Sequence, residues 1–117
     1  MVRDFTAVYE KHTANAEIAA SGNAIYFSDT EDKVQLQKAN QSFNYLEIIN
    51  DSSIVIEVYL DGLATRKRLL FGKTALIMKP EESIYFNTVK LTNTDAASAI
   101  TAGEVQLIAR ALKPTVN

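Results

Sequence analysis

NDSSIVIEVYLDG, residues Asn50 to Gly62, is two polar turns around seven residues that are nearly all β-formers. Alternate side chains of a strand point to opposite faces, so Ile54, Ile56, Val58 and Leu60 make one apolar face and Val55, Glu57 and Tyr59 the other. One face is built to pack inward and the other to meet water or a partner. Asn50 to Ser53 reads as a turn in which short polar side chains bond local backbone, and Asp61-Gly62 opens the turn into the next strand. The unit is architecture and carries no reactive group.

The same rhythm extends on both sides. FNYLEIIN (43–50) predicts a strand with Leu46 and Ile48 on one face and Tyr45 and Ile49 on the other. RKRLLF (66–71) and TALIMK (74–79) predict two short strands joined tightly at Gly72-Lys73. Pro80 marks a boundary because it lacks a backbone donor. SIYFNTVKL (83–91) predicts one long strand with Ile84 and Phe86 on a shared face. EVQLIARAL (104–112) predicts the last, with Val105, Leu107 and Ala109 inward. Upstream, AIYF and KVQLQK predict strands around the acidic turn SDTED (28–32). Phe5, Val8, Tyr9 and His12 fall at helical spacing, so residues 1–20 are expected to be a short N-terminal helix or an arm, followed by a β-sandwich domain over 21–117. Removing the residues before Ala20 is then expected to leave the β-domain folded and to weaken partner binding. Short strands at regular intervals, without long crossover helices, predict an all-β fold: an antiparallel sandwich or jelly roll of about eight strands.

The bulk numbers suit one ordinary domain: 117 residues, 47% hydrophobic, 22% charged, net charge −2. The charge offers no global attraction to phosphate, so nucleic acid is not an expected partner. Without cysteine there is no disulfide, thiolate nucleophile or thiolate metal site. MVRDFTAVYEKHTAN lacks the apolar core of a secretory signal and no run approaches a membrane span, so synthesis in the cytoplasm and no membrane partner are expected. The sequons at Asn40 and Asn50 read as turns rather than glycosylation sites.

The search for chemistry yields no catalytic, cofactor-binding or metal-ligating set. A single histidine, His12, cannot build a triad or a multi-histidine metal site within one chain. Gly72-Lys73-Thr74 matches only the end of a phosphate loop, with Lys67 where the first glycine belongs. Asp29, Glu31 and Asp32 lack the glycine and terminal glutamate of a calcium loop. Glu81 and Glu82 are adjacent and point to opposite faces of an extended chain. Arg66-Lys67-Arg68 reads as a solvated strand edge that resists aggregation. Phe5, Tyr9, Tyr45, Tyr59 and Tyr85 are the candidate interface residues, since a large ring with a polar tip suits a protein contact.

NYLEIINDSSIVIEVYLDG (44–62), KRLLFGKTALIMKPEESIYFNTVKLTNT (67–94) and AASAITAGEVQLIAR (96–110) together resemble small structural proteins of tailed bacteriophage virions. The likeness lies in the N-x-S turn leading into I-E-V-x-L-D-G and in the late A-I-x-A-G-E-V entry to the final strand. It covers the last two thirds of the chain. The resemblance implies a non-enzymatic capsid decoration, or cement, protein on the capsid surface of a virion, with the major capsid protein as partner and a homo-oligomer, a trimer above all. It implies no cofactor. The alternative is a carbohydrate- or receptor-binding sandwich of a phage tail or fibre. A cupin-like enzyme of similar fold needs several histidines.

Overall fold

The computed structural model describes residues 4–115, so the first three residues of the expected N-terminal arm lie outside the described residues. Among the described residues there are eight strands: β1 (Phe5–Ala14), β2 (Asn23–Tyr26), β3 (Tyr45–Asn50), β4 (Ile56–Leu60), β5 (Lys67–Leu70), β6 (Thr74–Met78), β7 (Val89–Asn93) and β8 (Val105–Pro114). One α-helix, α1 (Thr30–Ala39), lies between β2 and β3. The strands form two four-stranded antiparallel sheets, ordered β1-β8-β3-β6 and β2-β7-β4-β5.

The topology has a simple origin. β4 pairs with β5, β3 with β6, β2 with β7 and β1 with β8, each antiparallel. The chain is therefore one long hairpin folded about the Asp61–Arg66 loop and rolled up, and pairing of β3 with β8 and β4 with β7 completes the sheets. This is the jelly-roll arrangement of the all-β sandwich. Ile56, Val58 and Leu60 face Leu46, Ile48, Leu107 and Ala109 across the interior, all nearly or wholly buried. Each of these Val, Leu and Ile side chains contributes about 1.5–3 kcal/mol by leaving water. Phe43 sits at the centre of an aromatic stack, with ring centroids 5.9 Å from Tyr9, 5.4 Å from Phe27 and 5.5 Å from Phe86.

Four expectations need correction. Across Phe5–Ala14 the N-terminal helix or arm is an edge strand of the first sheet, because the long antiparallel ladder with β8, from Phe5↔Pro114 to Ala14↔Gln106, competes with an isolated two-turn helix that is marginal by itself. KVQLQK is helical: Asp29 precedes the helix in extended conformation, Glu31 and Asp32 occupy its first turn and Lys38 its last, complementing the helix dipole. Asn40 ends it in the left-handed region (φ 52°), where its N–H and that of Gln41 bond back to the carbonyls of the last turn. SIYFNTVKL is broken: Phe86 makes only an isolated bridge to Phe43, and the strand begins at Val89. Gly72-Lys73 does not close a hairpin but carries the chain from the second sheet to the first. A Cβ on Gly72 would lie 2.7 Å from the Ser53 carbonyl carbon, so only glycine lets this crossover pass the Asn50–Ser53 turn.

Buried asparagines hold the corners. Asn50 Nδ2 donates to the carbonyls of Ile54 (2.9 Å) and Phe71 (3.2 Å), and its Oδ1 accepts from the N–H and hydroxyl of Ser52. Asn93 donates to Ala19 and Ser98 carbonyls and accepts from the Asp95 N–H. Asn44 bonds both backbone groups of Leu112, and Asn15 ties Thr101 to Val105. A carboxamide carries both a donor and an acceptor, so it replaces a missing ladder partner where a strand leaves its sheet.

Candidate interaction surface

A sheet edge exposes unpaired backbone groups and invites another strand unless something blocks it. Of the four edges among the described residues, two are blocked and one is short. β1 has a register shift between Ala7 and Tyr9, carries α1 packed against it, and points Lys11 toward the buried Asp32 carboxylate at 3.8 Å. β2 has only four residues. β5 is equally short and basic, with Lys67 paired to Glu57 at 3.0 Å; Arg68, opposite the buried Val58, points its charge toward the gap between the sheets. The edge position read for Arg66-Lys67-Arg68 holds for Lys67 and Arg68, whereas Arg66 ends the short 3-10 turn before β5 and donates to Asp61 Oδ2 at 3.0 Å and to the Tyr85 carbonyl.

β6 differs. TALIM is the free edge of the first sheet, in regular register with β3, without a charge, proline or bulge inside it. Its outward residues continue a face of the sheet whose cross-strand rows read Ile77, Glu47, Ile108, His12 and Ala75, Ile49, Gln106, Ala14. Ile77 and Ile49 are 45% and 44% exposed, so apolar surface lies directly beside an open ladder.

The next row is polar. The Arg110 guanidinium lies 4.7 Å over the Tyr45 ring and donates to Glu10, which meets His12 Nε2 at 3.0 Å. The Arg110 hydrogen bond, with His12 second, holds the Glu10 carboxyl below its usual range, and Glu10 in turn raises Arg110. His12 faces outward from the sheet, away from the jelly-roll interior where a cupin-like metal site would be assembled.

The five candidate interface residues are not gathered on one surface. Tyr45 belongs to the outer face just described, and Phe5, opposite Pro114, shares it at the far end. Tyr59 lies on the outer face of the second sheet beneath Lys90, 4.4 Å from its ring centre. Tyr85 is 60% exposed on the loop before β7. Tyr9 turns inward: it stacks on Phe43 and its hydroxyl donates to Asp32 Oδ1 at 2.7 Å. Burial, then the Asp32 carboxylate, pushes the Tyr9 hydroxyl well above the ordinary tyrosine value. Asp32 is thus a buried partner of β1 and not part of a solvated acidic turn.

An open groove of about 590 Å³ lies between α1 and the loop before β7, floored by Phe27 and Leu36. Phe27 is held at φ 65°, a costly conformation for an aromatic residue, which brings its ring beneath Phe43. Neither the groove nor the bare β6 edge is visible in sequence without the strand order, although the absence of charge in TALIM beside the basic β5 is a signal for the latter. Compared with protein-family models and with curated proteins, the chain matches none.

Proposed function

We propose that the chain is a non-enzymatic structural virion component of the capsid-decoration type, which docks on the major capsid protein through the β6 edge and the outer face around Ile49 and Ile77. The observation that supports this reading is the uncharged, regular five-residue β6 edge, where the other edges are bulged and helix-covered (β1), shorter (β2) or short and basic (β5). Strand addition gives affinity through main-chain bonds and specificity through alternate side chains. The occupant is a strand of another protein rather than β6 of a second copy. Antiparallel self-pairing centred on Leu76 would set Lys73 opposite Lys79 twice, and like charges placed so are destabilising. A shell presents many equivalent sites, so a modest edge contact suffices for retention.

The test is co-sedimentation with shells of the source virus, using wild type and Ile77→Lys. The exposed substitution is expected to change stability by no more than about 0.5 kcal/mol and to abolish retention. Equal retention of the variant, or no retention of wild type, overturns the proposal. Light scattering after size exclusion checks the accompanying trimer, expected at about three times the 12.9 kDa chain mass.

A further inference from the structure

The groove beside α1 is lined by polar groups that the fold does not use. Gln37, Asn40 and Asn87 bring carboxamides to it, and Ser42 and Thr88 bring hydroxyls. Asn87 and Thr88 are fixed through their backbone N–H groups, which donate to Asp61 Oδ1 at 2.8 and 3.1 Å, and this leaves their side chains free. The contrast is with Asn15, Asn44, Asn50 and Asn93, whose amides are consumed by backbone. Gln41 is consumed likewise, by the Leu112 carbonyl, and forms a fixed wall.

The electrostatics narrow the ligand. Among the described residues lining the groove there is one cation, Lys33, and no carboxylate. No exposed aromatic platform is present for a nucleobase, since Phe27 is 5% exposed and belongs to the floor. Carboxamides and hydroxyls both donate and accept, as sugar hydroxyls do. The volume is in the range of small-molecule sites.

We infer that this groove binds a saccharide carrying one carboxylate, a uronic-acid type sugar, with Lys33 on the carboxylate and the amides of Gln37, Asn40 and Asn87 on the ring hydroxyls. The inference is independent of shell docking, which uses a different surface, and its test needs only the isolated chain.

The experiment is an amide chemical-shift titration of the 15N-labelled protein with glucuronate, glucose and acetate, each to tens of millimolar. Glucuronate is expected to shift the amides of the lining residues, glucose to shift the same set more weakly, and acetate to leave the set in place. Lys33→Met is expected to weaken glucuronate about tenfold, the loss of one charge-assisted bond, with glucose unchanged. Asn87→Ala should weaken both sugars. Both side chains are exposed and make no internal bond, so unchanged spectra outside the groove verify folding. No shift with either sugar overturns the inference. So does acetate acting as strongly as glucuronate, or Lys33→Met weakening glucose equally.

Discussion

Replacing Asn50 by alanine tests whether a single carboxamide holds the crossover between the sheets. In the native corner Ser52, 1% exposed, gives both its N–H (3.1 Å) and its hydroxyl (2.6 Å) to Asn50 Oδ1. The Phe71 carbonyl retains the Thr74 hydroxyl at 2.6 Å, and the Ile54 carbonyl retains a weak contact with the Ser52 hydroxyl. The Ser52 N–H is left with nothing. One buried unsatisfied N–H costs about 2 kcal/mol and the lost bond to Ile54 about 1 more, a total of ~3 kcal/mol. Unfolding entropy of about 2.1 cal/mol/K per residue over 117 residues is about 0.25 kcal/mol/K, so Tm should fall by about 12 °C. Thermal unfolding followed by circular dichroism measures this, with the exposed Ser53→Ala as a neighbour expected to stay within about 0.5 kcal/mol of wild type. Asn50→Asp keeps the acceptor but turns the donor into a second acceptor facing carbonyl oxygens. It should be worse than alanine at neutral pH and recover in acid as the carboxyl protonates. A loss under about 1 kcal/mol for Asn50→Ala, or an aspartate variant indifferent to pH, would refute the account of the corner.

Two further outcomes follow from the Tyr9–Asp32 contact and from β1. Tyr9 has its folded value raised, so its contribution is complete below its unfolded value near 10 and is lost as pH rises toward the folded one. Denaturant titrations from pH 9 to 11 should therefore show wild type losing stability as pH rises, and Tyr9→Phe declining less steeply; parallel declines would remove Tyr9 from the alkaline transition. Deleting residues 1–19 strips the edge partner of β8 and both polar contacts of buried Asp32, so the truncated chain should show no cooperative thermal transition. A sharp transition near that of wild type would show that β1 is dispensable, as the sequence alone had suggested.

Residues whose faces alternate cleanly were legible without coordinates. Ile56, Val58 and Leu60, Leu46 and Ile48, and Val105, Leu107 and Ala109 are buried as their period of two requires, because that period is a property of the local backbone. The two sequons mark chain reversals for the same local reason, one at the helix end and one at the crossover. Val34 and Leu36 mislead: two positions apart they would share a strand face, but on the helix they lie on opposite sides, Val34 exposed and Leu36 buried, and the acidic first turn followed by Lys38 was the better signal. Of the candidate interface residues, Tyr45 lies on the apolar-edged face of the first sheet and Tyr9 does not, a distinction that depends on which strand stands beside which.

An all-β chain, most of its strands and most of its core follow from side-chain periodicity and turn chemistry, which act within a few residues. That Phe5–Ala14 is a strand, that Gly72-Lys73 joins two sheets rather than two neighbours, and that β6 is an uncharged edge emerges only from the pairing of distant strands. Those outcomes depend on pairings between residues as far apart as Phe5 and Pro114. Backbone hydrogen bonds are chemically alike for nearly every residue, so the side chains near one strand carry little record of which distant strand satisfies it.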